Sequence, residues 1–512
     1  MRQTLIFVVS LAMLFTACAG QSTVAGGDSV RQPDPPPPVF GVSVLAGDDL
    51  TPLAASVEID SVALDTDPAG TVAVVWNEEW RDEPAAITVV APGFMPRSLE
   101  IAAVPEDGII EVRLDPVVLR GTVSTDAGRP LPSVTVQLGG AEVRTNGRGE
   151  FTIVRAAPGS IDLSRPAWET AITPWNGEIT ELDLTLTPLM VRALRVSGPK
   201  AGDPDSWQEI LSLADGSAVN ALVIDTKDER GRVFHDTSVE LAHTIGAVSA
   251  KYDLDQVLAD MEALGLYKIT RIVTFQDPPL AEFDLSLAAR NADTGRAWET
   301  SNGRAWLDPT DPASWEYPLA LAEEACRRGF DEIQFDYVRF PSDGVISDLD
   351  FDDFDFDEYY STGAQQKRVD TIAAFLQTAH DLLHPLGCAV AADIFAIVLE
   401  SRTDEGIGQM PGPLSTAIDV LSPMIYSYAY NSGWKGFKDP NEHAPEIVAL
   451  ALDAGIPRLD GFGIYRPWVQ RAFLDSDEIL NVQAEVEARD LGWMLWSATT
   501  DFNFAMLPPA DE

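Results

Sequence analysis

The feature that most constrains this chain is an alternation that begins at Met190. Eight short apolar segments, at 190–196, 219–225, 267–275, 330–337, 388–394, 418–426, 459–465 and 492–497, have the length and side-chain content of buried strands. Helical stretches lie between most of them: Trp207 to Leu213, Leu254 to Ala263, Pro312 to Arg328, Ala364 to Leu383, Glu442 to Ala454 and Ile479 to Arg489. Eight strands with crossover helices fit a (β/α)8 TIM barrel over 189–512. The fifth crossover departs, because 399–416 reads as loop. In such a barrel the chemistry sits where the strands end, at the C-terminal rim.

Upstream the texture is different. From Val39 to about Pro188 the segments are short, β-branched and separated by Gly, Pro, Asp or Asn, with no helical period. Examples are Val72 to Val75, Ile87 to Val90, Val134 to Leu138 and Leu182 to Leu186. The run from Ile109 to Pro116 and the run from Ile179 to Pro188 read as equivalent closing strands, about 72 residues apart. Two β-sandwich modules, at 39–117 and 118–188, explain that spacing. The second carries Gly121-Thr122-Val123, Gly128-Arg129-Pro130-Leu131-Pro132 and Thr145-Asn146-Gly147-Arg148-Gly149-Glu150-Phe151. On these residues it resembles the carboxypeptidase regulatory-like, transthyretin-like family, whose modules act as spacers or weak contacts. Asn146 to Gly149 supplies positive-φ turn positions between two strands.

Ahead of the modules, Arg2 and the apolar run Leu5 to Phe15 make a leader too short to span a bilayer. Phe15-Thr16-Ala17-Cys18 resembles a bacterial lipoprotein cleavage box. Residues 1–17 are therefore expected to be a signal peptide, with Cys18 lipidated, or the chain secreted if it is not. Residues 18–38, rich in Gly, Ser and Pro, are a linker. The expected location is extracytoplasmic, tethered to the membrane at the cell surface. Charge agrees with a salty exterior. Eighty acids against 35 bases give a net −45, which argues against nucleic acid and anionic lipid surfaces as partners. Cys326 and Cys388 lack metal-ligand spacing and read as buried core side chains, with a disulfide as the alternative such a compartment permits.

Along the fourth barrel strand Glu332, Gln334 and Asp336 alternate with Ile333 and Phe335, so the polar set shares one face. With the apolar face on the helices, that set points inward and Asp336 stands at the top. Other strands end in Asp225-Thr226-Lys227-Asp228, Asp393-Ile394-Phe395, Met424-Ile425-Tyr426, Arg466-Pro467-Trp468 and Trp493 to Trp496. Carboxylates with aromatics suit sugars: acids do the chemistry and flat rings stack on pyranose faces.

Asn220 to Asp228, the run Gly329 to Gly344, Ser422-Pro423-Met424-Ile425-Tyr426 and Arg466 to Gln470 together resemble a bacterial family of glycoside hydrolases first catalogued as a domain of unknown function. The resemblance covers about 190–505 and implies a glycosidase-like barrel. Ser427-Tyr428-Ala429-Tyr430 departs from the Pro-Ser-His-Tyr usual there. The function expected is an extracytoplasmic, membrane-anchored glycoside hydrolase that cleaves a poly- or oligosaccharide with paired carboxylates. The alternative is a catalytically inactive glycan-binding lipoprotein, and a third reading is an adhesion protein acting through the sandwiches. Asp336 is expected to be the ionised carboxylate, held so by Arg339, and Asp393 the acid, with Asp225 its runner-up. Lys227, Asp228, Gln334, Arg339, Tyr426, Tyr430, Trp434, Arg466, Trp468 and Trp496 are the expected substrate contacts, Trp434 being the most loop-like. No cofactor or metal is expected. The acidic run Asp348 to Glu358 lacks the glycine and final glutamate of an EF-hand loop, and reads as a solvated face rather than a calcium site.

Overall fold

The computed structural model describes residues 36–351 and 361–510. The leader, Cys18, most of the linker and most of the acidic run lie outside the described residues.

Two compact units are present, one formed by residues up to Ala91 with Pro96–Leu114, the other by Pro92–Met95 with Asp115 onward. In the first, Val39–Ala46 is the middle strand of a three-stranded sheet, antiparallel to Thr71–Val75 and parallel to Ile109–Leu114. Val62–Asp65, Ser56–Ile59, Ala85–Val90 and Arg97–Ile101 follow one another across a second sheet.

The next seven strands repeat that plan. Val118–Ser124 is antiparallel to Glu150–Val154 and parallel to Glu181–Thr185, and a four-stranded sheet runs Ala141–Arg144, Thr135–Leu138, Gly159–Ser164, Ala171–Trp175. The equivalence of the two closing strands thus appears as the same pairing in each set. Alternate residues of both sheets (Leu119, Val123, Val136, Leu138, Phe151, Ile161, Leu163) make one apolar cluster. The turn at Gly149 needs glycine: φ is +72°, and a Cβ would lie 2.3 Å from the Val123 carbonyl.

Downstream, eight parallel staves close on themselves. They are β1 (Arg192–Val196), β2 (Ala221–Lys227), β3 (Tyr267–Val273), β4 (Glu332–Asp336), β5 (Ala389–Phe395), β6 (Val420–Ile425), β7 (Ile464–Tyr465 and Trp468–Gln470) and β8 (Trp493–Trp496). Each pairs with its sequence neighbours, and β8 pairs with β1, so no edge is left open. Helices α1 (Pro204–Asp215), α2 (Leu254–Ala263), α3 (Glu316–Arg328), α4 (Thr362–Leu383), α5 (Ala444–Gly455) and α6 (Ser476–Glu487) lie between staves. Between β5 and β6 only the short turns Ala396–Leu399 and Pro411–Leu414 occur, in keeping with the loop expected there.

Side-chain parity follows the sequence pattern. Ile333 and Phe335 belong to the outer core packed on the helices, together with Leu222, Ile224, Val390 and Ala392. Ala193, Ala221, Val223, Ile269 and Met494 fill the inside. The inward Ala389, Ala391 and Val420 join the apolar cluster of the second seven-stranded set, which is part of the same compact unit as the barrel.

A buried ion pair ties that set to the N-terminal end of the barrel. Arg165 lies 2.6 Å from Asp419, both side chains sealed from water, with the guanidinium 4.5 Å from the Phe462 ring centre. His380 and His384, four residues apart at the end of α4, stack on each other and face the same carboxylate. Burial lowers both imidazole pKa values, His384 to about 4; the attraction of Asp419 works the other way and is outweighed.

Cys326 and Cys388 are buried as expected, yet joined. A disulfide links the last turn of α3 to the residue before β5, with Cα atoms 6.0 Å apart. The reading of two separate core thiols is corrected by this geometry: α3 precedes β4 and β5 lies beside it, so a separation of 62 residues folds to contact.

Candidate active site

The polar residues inside the barrel form three levels along its axis. Lowest, Glu332 takes two hydrogen bonds from Arg466 Nη1, at 2.7 and 2.8 Å, and one from the Tyr267 hydroxyl. Above it, the Gln334 amide donates to Ser422 Oγ at 3.2 Å. At the top are Asp225, Asp336 and Asp393, none more than 5% exposed.

Arg271, projecting from β3 between β2 and β4, organises this upper level. Its Nε donates to Asp336 Oδ2 at 2.8 Å, its Nη2 lies 2.5 Å from the same atom, and its Nη1 is 3.3 Å from Asp225. Arg195 of β1 closes on Asp225 from the other side. The remaining Asp336 oxygen accepts the Tyr337 backbone N–H at 2.7 Å. That amide is aimed by a left-handed backbone at Tyr337 (φ +50°), costly for a residue with a side chain and a mark of a constrained site.

Asp393 differs from its neighbours in that, among the described residues, no ion pair reaches it. Its Oδ1 accepts the Trp468 indole N–H at 2.7 Å. The rungs Gln334–Ala391 and Phe335–Ala392 pair directly, and the same offset sets Asp336 level with Asp393 on the adjoining strand. Burial, and then the negative charge of Asp336, drive the Asp393 pKa well above the usual carboxylate range. Burial, and then the same carboxylates, raise the Tyr426 phenol well above its usual range, so it remains an O–H donor. Gln409, wholly buried, braces the acid from the fifth crossover. Its amide donates to the carbonyls of Asp393 and Val338, and its oxygen accepts the Phe395 N–H.

Several expected contacts are placed elsewhere. Arg339 is not the partner of Asp336. It lies over the rings of Phe395, Trp306 and Tyr337 and donates to Ser342 and the Phe340 carbonyl, while Arg271 supplies the charge. Lys227 turns away from the cavity because β2 bulges after Asp225: its register partner becomes the outward Ile272, and its ammonium, fully buried, meets Asp277 at 2.6 Å. Asp228 caps the turn at Arg230 to Arg232 and pairs with Arg232. Gln334 and Arg466 sit below the rim. Trp468 is too buried to stack on a ligand, and its indole N–H serves Asp393 instead.

Other aromatics do reach the rim. Trp496 covers Arg195 and Arg271 at 4.6 and 5.2 Å, and Tyr426 stacks on Tyr428. Tyr430 and Trp434 meet edge to face and line a pocket of about 740 Å³ with Tyr426, so Trp434 is half-buried instead of fully exposed. Arg195 and Arg271 were missed by reading strand ends alone. The available signal was an arginine inside an apolar strand, at the inward parity of Ile269.

One group of metal-ligating side chains converges among the described residues: His380, His384 and Asp419, with ligand atoms within 4.8 Å of one another. Arg165 already supplies the positive charge against Asp419 there, so a buried ion pair accounts for the arrangement. No described helix is long and apolar enough to cross a membrane.

A closed barrel of parallel strands, with carboxylates gathered at the strands' C-terminal ends, is the class of scaffold on which many enzymes build their sites. Residues 193–502 match the family described as "Putative glycosyl hydrolase domain", and the chain belongs to that family. Among solved structures, a hypothetical protein from Ruminiclostridium thermocellum ATCC 27405 is 34% identical, over 39% of this chain and 96% of that one, with a TM-score of 0.34. The PgaB (BpsB) glycoside hydrolase domain from Bordetella bronchiseptica is 11% identical over 61% and 95%, with a TM-score of 0.46. The PelA glycoside hydrolase domain from Pseudomonas aeruginosa is 11% identical over 61% and 96%, with a TM-score of 0.35. No curated protein matches the sequence.

Proposed function

We propose that this chain is an extracytoplasmic glycoside hydrolase, anchored through Cys18, that cleaves a poly- or oligosaccharide on a (β/α)8 barrel of the glycosidase type. One observation carries the reading: two carboxylates on level residues of adjoining strands have opposite environments, Asp336 ion-paired with a guanidinium and Asp393, with no ion pair among the described residues, pushed toward protonation. Asp393 donates its proton to the leaving oxygen, and Asp336 attacks the anomeric carbon. Asp225, held by Arg195 and Arg271, anchors the arginine that positions Asp336 and serves less well as the acid.

Adjacent strands lie about 4.8 Å apart, so level residues on them suit the roughly 5–5.5 Å carboxyl spacing of retaining enzymes. Family membership supports the reaction class. The two seven-stranded sets act as transthyretin-like spacers between anchor and barrel. The disulfide supports an oxidising compartment, as the leader does.

A screen of the mature protein against a polysaccharide panel tests this. Sugar release is expected from the wild type and not from Asp336→Asn, and the first product carries the anomeric configuration of the substrate. Equal release by wild type and Asp336→Asn removes the assignment.

A further inference from the structure

The pocket of about 740 Å³ is lined from Phe395, the last residue of β5, onward. Phe395 stands two residues after Asp393 and shares its face of β5; Met424, the register partner of Phe395, carries the wall onto β6. Ile397, Tyr426, Tyr430 and Trp434 complete most of it. A proton donor stands on the side from which the leaving group departs. On the assignment of Asp393 as the acid, on which this inference rests, the space beyond β5 receives the leaving group.

The chemistry of the walls then describes that group. A sugar ring needs several hydrogen bonds from its site; here the acidic residues are already engaged, and Asn431 and the Tyr426 and Tyr430 hydroxyls are isolated polar points in a largely apolar lining. Glu400 pairs with Lys435 at 3.0 Å, while Glu405 accepts from the hydroxyls of Ser401 and Thr403. Most of the wall is hydrocarbon and aromatic ring, and Glu405 sets negative charge at its margin, unfavourable to an anionic group.

We propose that this pocket binds an uncharged apolar aglycone, an alkyl chain or aryl ring joined to the sugar that Asp393 releases. The natural substrate is then a glycoside with a hydrophobic tail, and the pocket sets specificity on the leaving-group side.

Binding of n-octyl β-D-glucoside, kept below its micellar concentration, is compared with methyl β-D-glucoside by calorimetry on the full mature chain. The octyl compound is expected to bind at least about tenfold more tightly, since each buried methylene adds favourable transfer energy. Ile397→Asp, at a half-exposed position that folding tolerates, and Trp434→Ala are each expected to abolish that advantage. Asp393→Asn is expected to keep it. Equal binding of the two glucosides, or an octyl advantage untouched by both pocket variants, overturns the proposal. The hydrolase reading is judged separately by sugar release, so octyl binding without any hydrolysis retains the pocket and discards the acid.

Discussion

The barrel buries charge at both ends, and the two ends are balanced differently. At the N-terminal end one arginine meets one aspartate, Arg165 with Asp419, and the two histidines beside them are held neutral. At the C-terminal rim two arginines pair with Asp225 and Asp336, and among the described residues no ion pair reaches Asp393. A balanced cluster has no proton to exchange and holds parts together. An unbalanced one must take up a proton, which equips it for acid catalysis. Buried charge in itself therefore does not distinguish the two ends; the uncompensated carboxylate does.

The contrast can be broken from either side. Asp336→Asn should lower kcat on an identified substrate by about 10⁴-fold or more, the scale seen when a nucleophile is removed, with the melting curve little changed. Arg165→Met should leave Asp419 buried without its partner and cost about 3–5 kcal/mol in denaturant unfolding, leaving the chemistry of the folded fraction intact. Asp393→Asn should cost about 10²- to 10³-fold in kcat, less for substrates whose leaving group needs no proton. It should also erase the alkaline limb of the wild-type pH profile, because the raised pKa of Asp393 makes its proton available until pH climbs through that value.

The smallest effect is one of pH on stability. Unfolded, the His384 imidazole takes up a proton below about 6.5; folded, only below about 4. Between those values the unfolded state binds more protons, so stability is lost as pH falls, by up to roughly 3 kcal/mol. Urea unfolding at pH 7 and at pH 4.5 reads this directly, and His384→Gln should flatten the difference.

What the sequence made legible was local. The alternation of Glu332, Gln334 and Asp336 with Ile333 and Phe335 announced the inward face of β4, and Asp393 was visible as a polar residue closing an apolar strand. What it hid was long-range partnership. The partner of Asp336 is a guanidinium on β3 and not the nearer-in-sequence Arg339, which lies over the rings of Phe395, Trp306 and Tyr337. Lys227, an expected substrate contact two residues after Asp225, is turned away by a single bulge. Arg165, from the second seven-stranded set, reaches a barrel residue more than two hundred positions away, which no spacing announces.

The claim beneath all of this is that Asp393 holds its proton because it is buried and because the carboxylate of Asp336 stands beside it. Carbon-13 NMR titration of the aspartate carboxyls in the wild type and in Asp336→Asn measures it without a substrate. The account predicts that Asp393 titrates well above the usual carboxylate range and moves down when Asp336 becomes neutral. An Asp393 that titrates as an ordinary aspartate, unmoved by Asp336→Asn, would contradict it.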